Sequence, residues 1–380
     1  MKENSSISAN LNRVLVGSFM IMLFLPVIQM LTQFVSYEEI EKHMNEKRKL
    51  ASFPPIEKDS LEVFPEKYTS YFQDHFGFRK PLVMTNNYIK AMWFKTSSKD
   101  NVIIGKDKWL FFNVKNSARD FEGKVPLNVN ELGSLKNQLG QKKHYYDSLG
   151  IEFIVLVAPN KMQVYDDMMP DKYLRSDSSR LSQFIDYMKD TGVKIISPLQ
   201  ALRAAKENKL LYQTNDSHWN ANAGFIASNI LITSLQERFP MLAPSKLEDY
   251  EVMQKDKNTG DISGLLGITP FLSNQKFVYT KPSNLVEKQA VSPSYELEYD
   301  AAYKATFAFE TNLKDHPRLL MFNDSYISYI YPFLSDHFSY SAFYWTHHMN
   351  KKIVEAEQPD IVVHLLVERS LDVLMFDLED

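Results

Sequence analysis

Short apolar runs that alternate with helix-like segments constrain the fold of this chain most. Residues 151–157 form a nearly continuous apolar run, rich in β-branched side chains and closed by Ala158-Pro159, which is typical of a strand buried on both faces. Further strands are predicted at 193–196, 210–212, 318–322, 339–345 and 360–367, and helices at 130–147, 180–191, 200–207, 220–239, 325–334 and 350–357. Strands separated by helices imply right-handed crossovers, so we expect a three-layer α/β/α domain with a mostly parallel sheet.

The ends of these elements and one irregular stretch complete the fold prediction. Asn130 is the expected N-cap of the helix 130–147, and Gly150 is expected to end that helix. Residues 246–303 show no clear periodicity, and we expect them to be rich in loops. The chain therefore predicts one large α/β domain over residues 61–380.

The N-terminal segment is apolar enough for a membrane anchor. No charged side chain occurs from Val14 to Tyr37, and about 20 apolar residues are needed to cross a bilayer core. Lys2 and Arg13 precede the stretch and Glu38 follows it, so the positive-inside rule places the N terminus in the cytoplasm. A signal peptide would need small residues after the apolar run, and these are missing. We expect an uncleaved single-pass anchor in the inner membrane, with a cleaved signal peptide or a buried core helix as alternatives.

Three segments follow from this interpretation. Residues 1–37 are the cytoplasmic stub and anchor, residues 38–60 are a charged juxtamembrane helix and tether, and residues 61–380 lie on the periplasmic or extracytoplasmic side. The 43 basic and 47 acidic residues give a net charge of −4 with no long basic run, so nothing indicates nucleic-acid binding. Because cysteine is absent, disulfides, cysteine nucleophiles and thiolate metal sites are excluded.

Polar side chains follow two of the predicted strands, at the edge where parallel sheets carry their sites. Residues 215–219 come shortly after the strand 210–212, and Ser325 lies at a strand-to-helix turn, where a helix N-terminus can stabilise developing negative charge. Asp216 and His218 lie two apart and face one side of an extended segment, so they can serve as carboxylate and base for Ser325. Asp and Ser are also good helix caps, and both interpretations stay open on the residues alone.

The segment Asp216-Ser217-His218-Trp219 resembles the Asp-x-His-Trp signature of the alginate O-acetyltransferase (AlgX/AlgJ-like) family, which has an SGNH-hydrolase-like domain with permuted sequence blocks. Other stretches resemble further motifs of that family in the same order, namely residues 66–79, 105–112, 157–165, 359–363 and 368–369. No single motif is decisive, but the ordered set is specific and spans roughly residues 61 to 375.

The resemblance implies a catalytic triad. Ser325 would be the nucleophile, His218 the general base and acid, and Asp216 the orienting carboxylate, and their order along the chain matches the permuted arrangement. Asn323 stands where the family usually has a glycine two residues before the serine, which bears on the geometry of the oxyanion site. Asn tolerates a positive φ better than most residues, so this departure leaves the triad in place.

Further candidates for substrate binding lie near the proposed triad. They are Trp219 and Tyr326, which can stack on sugar rings, together with Lys161 and Asn323. Large aromatic residues are more often core residues, and a lysine in a loop is more often solvated. The triad needs neither a metal nor a cofactor.

The implied activity is O-acetylation of an exported bacterial polysaccharide, either alginate or another exopolysaccharide, through an acetyl-serine intermediate. The resemblance also implies a partner, a membrane-embedded acyltransferase that passes acetyl groups across the inner membrane. Two alternatives stay open on the sequence. One is a polysaccharide acetylesterase, and the other is a non-catalytic glycan-binding or assembly protein on the same fold.

Overall fold

The computed structural model describes residues 2–36, 38, 49–56, 61–281, 286–297 and 306–379. Its contacts divide the chain into two compact units, residues 1–99 with 263–272 and residues 100–262 with 273–380. Most of the tether predicted at 38–60 lies outside the described residues, and the predicted domain limits stay a prediction.

A seven-stranded sheet forms the centre of the larger unit. The strands in the described residues, of which seven form this sheet, are β1 Val102–Ile104, β2 Leu110–Phe112, β3 Glu152–Ala158, β4 Lys194–Ile196, β5 Glu251–Lys257, β6 Asn274–Thr280, β7 Lys288–Val291, β8 Phe307–Thr311, β9 Arg318–Asn323, β10 Tyr340–Tyr344, β11 Met349–Asn350, β12 Ile361–Val367 and β13 Leu378–Glu379. The order in the sheet is β4-β3-β12-β9-β10-β8-β7. The first five strands in this order, β4, β3, β12, β9 and β10, pair in parallel. Strand β8 pairs antiparallel with both β10 and β7. The mostly parallel sheet is confirmed.

Helices cover both faces of this sheet. The α-helices in the described part of the chain are α1 Lys2–Thr32, α2 Phe64–His75, α3 Arg79–Met92, α4 Ser117–Phe121, α5 Val129–Ser148, α6 Lys161–Val164, α7 Arg180–Met188, α8 Leu199–Ala205, α9 Ala221–Leu235, α10 Asp261–Leu266, α11 Tyr331–Leu334 and α12 Lys351–Glu357. Alternate residues of β3 enter different cores: Ile154 packs in the core that includes α9, and Val155 packs in the core that includes α5. Because both faces are buried, the strand reads as a continuous apolar run, as predicted.

Local capping decides where the main helices begin. Asn128, not Asn130, caps α5, because its side chain accepts from the backbone of Glu131 while the Glu131 carboxylate accepts from the backbone of Asn128. Gly150 follows this helix with φ of +72°, a conformation that glycine adopts without strain. Asn220 caps α9 by the same side-chain chemistry.

Three predictions of secondary structure were wrong. Residues 246–303 contain the antiparallel hairpin β5–β6 and the edge strand β7, and β5 is exposed along its whole length, so it carries no apolar periodicity. Residues 210–212 form no strand, only an isolated bridge between Tyr212 and Trp219. The helix predicted at 325–334 is divided into a 3₁₀ helix, Ser325–Tyr329, and the short α11, which has a proline in its first turn.

The smaller unit contains α1, α2 and α3. Within α1, residues Asn10–Thr32 have a mean hydropathy of 2.3 over their most apolar window, and their length and composition are sufficient to cross a membrane. This is the one helix in the described part of the chain with that property. An N-terminal signal sequence would share it. The side chain of Gln29 exchanges two hydrogen bonds with the backbone of Val35 just after the helix ends.

Candidate active site

Ser325 stands at the carboxyl edge of the sheet, where β9 passes into the 3₁₀ helix. Asp324 caps that helix by accepting from the backbone N–H of Tyr326 at 2.9 Å, and its other oxygen accepts from the N–H of Val367 at 2.8 Å. This carboxylate therefore fixes the turn to the end of the neighbouring strand β12. Ser325 is the first residue of its helix, where a backbone N–H has no partner within the helix.

Asn323 closes β9 in ordinary strand conformation, without a positive φ. The glycine that the family usually has at this position is therefore not required by the backbone here. The Asn323 side chain is fully buried, and its Oδ1 has no hydrogen-bond partner among the described residues. The side chain has no face open to solvent in this structure, and its role in substrate binding stays a prediction.

Asp216 and His218 lie in the segment between the Tyr212–Trp219 bridge and α9. The Nε2 atom of His218 lies 2.6 Å from the Oγ of Ser325, and its Nδ1 lies 2.7 Å from an Oδ of Asp216. In the tautomer that fits, Nδ1–H donates to the carboxylate and the serine hydroxyl donates to Nε2. The structure thus brings Ser325 to His218 and Asp216, which lie more than a hundred positions before it in the sequence.

The Asp216 carboxylate accepts hydrogen bonds from three N–H groups. Besides the imidazole, the backbone N–H of His218 donates to it at 2.9 Å and that of Asp261 at 3.0 Å. Burial alone would raise the pKa of Asp216, but the hydrogen bond and charge of His218 outweigh burial and lower that pKa to about 2. Burial lowers the pKa of His218, yet the bond to Asp216 outweighs it, and the net pKa of His218 is raised.

Asp261, the first residue of α10, is a site residue that the sequence analysis missed. One of its oxygens accepts from the Ser217 backbone N–H at 2.7 Å, and the other accepts from the Ser217 hydroxyl at 2.5 Å and lies 3.6 Å from the Nδ1 of His218. Burial and the neighbouring charge of Asp216 raise the pKa of Asp261. The only signal in the sequence is an Asp that follows a glycine before a short helix, which is indistinguishable from an ordinary cap.

Trp219 and Tyr326 hold the histidine segment against the serine turn. The indole Nε1–H of Trp219 donates to the carbonyl of Tyr326 at 3.0 Å, and the Tyr326 hydroxyl donates to the carbonyl of Ser217 at 2.7 Å. Both side chains are fully buried, with ring centroids 5.1 Å apart. Their aromatic surface packs in the core, and stacking on a sugar stays a prediction.

Lys161 is buried, and not solvated as a lysine in a loop more often is. Only 4% of the residue is exposed, and its ammonium group contacts backbone carbonyls of the segment that carries Asp216. A sequence pattern cannot distinguish such a lysine from a surface one, because the partners are main-chain atoms.

Asp216, His218 and Asp261 place their ligand atoms within 4.8 Å of one another, which is compact enough for a metal ion. Both ring nitrogens of His218 already have hydrogen-bond partners, Asp216 and Ser325. An ion bound by the imidazole would have to replace one of these bonds. The donor set therefore suits proton transfer better than metal binding.

The parallel sheet and the Ser–His–Asp geometry at its carboxyl edge define an SGNH-hydrolase-like α/β domain. The family model described as the SGNH hydrolase-like domain of acetyltransferase AlgX matches residues 102–303, which is just over half of the chain. The chain belongs to this family, as its motif order predicted.

Two relatives and one solved structure show how far the similarity extends. A probable alginate O-acetylase AlgJ of Pseudomonas syringae pathovar tomato is 22% identical over 235 residues, 61% of this chain and 58% of that protein. A probable alginate O-acetylase AlgJ of Pseudomonas aeruginosa is 22% identical over 177 residues, 45% of this chain and 42% of that protein. The chain thus matches about half of the length of these relatives. The structure of Bacillus cereus PatB1 is similar with a TM-score of 0.53 at 15% identity, covering 73% of this chain and 99% of that one, which supports the fold alone.

Proposed function

We propose that this protein is an O-acetyltransferase that transfers acetyl groups to hydroxyls of an exported polysaccharide through an acetyl-enzyme on Ser325. One observation carries the proposal: the Ser325 hydroxyl, the His218 imidazole and the Asp216 carboxylate are joined by contacts of 2.6 and 2.7 Å. This is the geometry in which a serine hydroxyl becomes a nucleophile. The relatives named alginate O-acetylases support acetyl transfer as the reaction and a polysaccharide as the acceptor.

The first half-reaction forms the acetyl-enzyme. His218 Nε2 takes the proton of the Ser325 hydroxyl while Oγ bonds to the carbonyl carbon of an acetyl ester. The N–H of Ser325, at the start of its 3₁₀ helix, stabilises the oxyanion, and Asp216 stabilises the imidazolium. The imidazolium then gives its proton to the leaving oxygen of the donor, whose bond to the acetyl carbon breaks.

The second half-reaction passes the acetyl group to the acceptor. A sugar hydroxyl gives its proton to His218 as its oxygen attacks the acetyl carbon, and the bond from Ser325 Oγ to that carbon breaks. The serine oxygen recovers the proton from the imidazolium, which restores the starting state. Water in place of the sugar would give hydrolysis, so exclusion of water distinguishes a transferase from an esterase.

The cellular setting of the proposal follows from α1. A single N-terminal span with the catalytic unit on the periplasmic side of the inner membrane would place Ser325 beside the exported polymer. Acetyl-CoA is cytoplasmic, so the acetyl group needs a membrane-embedded acyltransferase as the partner that carries it across. The positive flank before the apolar stretch supports this orientation.

The test uses the full-length protein in detergent with 4-nitrophenyl acetate as donor and an acetyl-free uronate oligosaccharide as acceptor. The account expects acetylated oligosaccharide, detected by mass spectrometry, from the wild type and none from Ser325→Ala. Ser328→Ala is a matched control, because Ser328 is an exposed serine in the same 3₁₀ helix. Acetate without acetylated glycan would favour the esterase. Turnover unchanged in Ser325→Ala would reject the serine mechanism.

A further inference from the structure

Lys161 directly follows the turn at the carboxyl end of β3 and opens the short helix α6. Its side chain runs inward instead of toward solvent, and its ammonium nitrogen lies 4.8 Å from the ring centroid of Trp109 and 5.2 Å from that of Phe111. Burying an ammonium group is costly unless its hydrogens are well satisfied, so the partners of Nζ decide what this residue does.

The partners of the Lys161 ammonium are four backbone carbonyls. Nζ lies 2.6 Å from the oxygen of Gln213, 2.8 Å from that of Thr214 and 3.1 Å from that of Asp216. The fourth acceptor, the Leu110 carbonyl, lies at 2.7 Å. The backbone N–H of Leu110 in turn donates to the carbonyl of Thr214 at 2.8 Å. Three of the four acceptors of Nζ, and the acceptor of this Leu110 bond, therefore belong to residues 213–216.

Residues 213–216 lead directly into His218, and they have little regular structure of their own. They lie between the bridge residues Tyr212 and Trp219 instead of in a ladder of the central sheet. Their carbonyls therefore depend on the lysine for much of their hydrogen bonding. A segment held at three of its four carbonyls, including that of Asp216, has little freedom to change the direction of the Asp216 carboxylate.

The charge of the lysine matters as well as its hydrogen bonds. Burial lowers the pKa of Lys161, whereas the negative charges of Asp216 and Asp261 and the hydrogen bonds to four carbonyl oxygens favour its charged form. No carboxylate within the described residues forms an ion pair with it, so its charge acts on Asp216 and Asp261 through space. A neutral amine would turn a lone pair toward a carbonyl oxygen, so the four-carbonyl arrangement needs the protonated form.

We propose that Lys161 is a positioning residue for acyl transfer, whose ammonium group fixes the 213–216 backbone and thereby sets the line from Asp216 through His218 to Ser325. Lys161 touches neither substrate nor the reacting atoms. Its role rests on the proposed function, since it matters for turnover only if those three residues perform the chemistry. Displacing a catalytic group by about 1 Å lowers turnover by about 100-fold, and loss of the four Nζ–carbonyl contacts would allow a displacement of this size.

The test compares two buried lysines in the full-length protein. Lys161→Met and Lys142→Met remove the same charge and keep similar volume, but Lys142 lies in α5 on the opposite face of the sheet, where its Nζ donates to the Leu374 carbonyl at 3.0 Å. With 4-nitrophenyl acetate, Lys161→Met should lower kcat by about 100-fold with KM changed less than threefold. Lys142→Met should leave both unchanged. Wild-type kcat in folded Lys161→Met would overturn the proposal.

A second variant separates positioning from general structural support. In Lys161→Ala, added propylammonium can occupy the vacated space, and it should restore at least a tenth of wild-type kcat, whereas propanol should not. If Lys161→Met does not fold, Lys161→Ala is purified with propylammonium, which is then diluted out. Loss of kcat before loss of the near-ultraviolet circular dichroism supports positioning, and simultaneous loss of both overturns it.

The results distinguish a failure of the proposed function from a failure of this inference. Wild-type turnover that survives Ser325→Ala rejects the serine mechanism, whatever the lysine variants do. Turnover that depends on Ser325 but not on Lys161 rejects only the positioning role.

Discussion

Replacing Gly224 by alanine tests how closely the histidine segment and the serine turn must approach. Gly224 lies in the first turn of α9, six residues after His218, and faces Tyr329 at the end of the 3₁₀ helix that begins with Ser325. A Cβ added at Gly224 would lie 2.6 Å from the carbonyl carbon of Tyr329, 3.2 Å from its Cβ, and closest of all to its carbonyl oxygen. Glycine is therefore required here by space, not by its φ.

The size of the effect follows from these distances. Ordinary contact begins at 3.4 Å. Helix and turn in Gly224→Ala must therefore separate by more than 1 Å, and overpacking of this kind costs about 1–3 kcal/mol of unfolding free energy. The same shift stretches the 2.6 Å bond between His218 and Ser325. A misplacement of about 1 Å lowers kcat by about 100-fold, so kcat of the folded variant should fall by at least about that factor.

The assay measures kcat with 4-nitrophenyl acetate and the urea midpoint of the same preparation. Gly140→Ala is the matched control, because nothing lies within 4 Å of the Cβ it adds in the middle of α5. It should keep kcat and gain up to about 1 kcal/mol of stability. Wild-type kcat and stability in Gly224→Ala would refute the close approach and, with it, the alignment of the two segments.

Three further predictions concern the charge of His218, the buried Lys142 on the opposite face of the sheet and the hydrogen bond of Trp219. The raised pKa of His218 means that the neutral base forms only above the ordinary imidazole range, so kcat/KM should rise with pH through that higher value. Asp216→Asn should move this limb to lower pH and reduce the plateau by about 10⁴-fold. Because burial lowers the pKa of Lys142 to about 8, Lys142→Met should stabilise the protein by about 1–2 kcal/mol at pH 7. Trp219→Phe, which loses the bond to Tyr326, should lower kcat about tenfold.

Each of these predictions has a distinct contradicting result. A rising limb at or below the ordinary imidazole pKa, or one that Asp216→Asn leaves in place, would show that the carboxylate does not control the histidine. The gain from Lys142→Met should shrink above pH 8, where the wild-type lysine loses its proton in the folded state first. A gain in stability that does not change with pH would show that Lys142→Met acts through packing and not through the removed charge. Unchanged kcat in Trp219→Phe would show that the hydrogen bond from Trp219 to Tyr326 does not contribute to catalysis.

The central sheet could be predicted because its strands are buried on both faces. The apolar runs at β3 and β12 differ from the flanking sequence so clearly that their position was right to within a residue or two. The exposed hairpin β5–β6 was missed for the opposite reason, since a strand with no buried face has no apolar periodicity to detect.

The residues of the candidate site likewise include some that the sequence could predict and some that it could not. Ser325, His218 and Asp216 could be proposed because sites in parallel sheets lie where strands end and because the motif order resembled a family. Asp261 and the role of Lys161 could not be found this way. Lys161 contacts main-chain carbonyls, and Asp261 accepts from the Ser217 backbone while its own backbone N–H donates to Asp216. The sequence does not record which backbone groups a side chain will meet.

The most direct test of the account is to look for the acetyl group on the enzyme itself. The full-length protein is mixed with 4-nitrophenyl acetate, quenched in acid within the first turnover and digested, and the peptides are analysed by mass spectrometry. The account predicts one acetyl group on Ser325, no such adduct in Ser325→Ala and a much slower one in His218→Ala. An acetyl group on another residue, or turnover with Ser325 never modified, would contradict it.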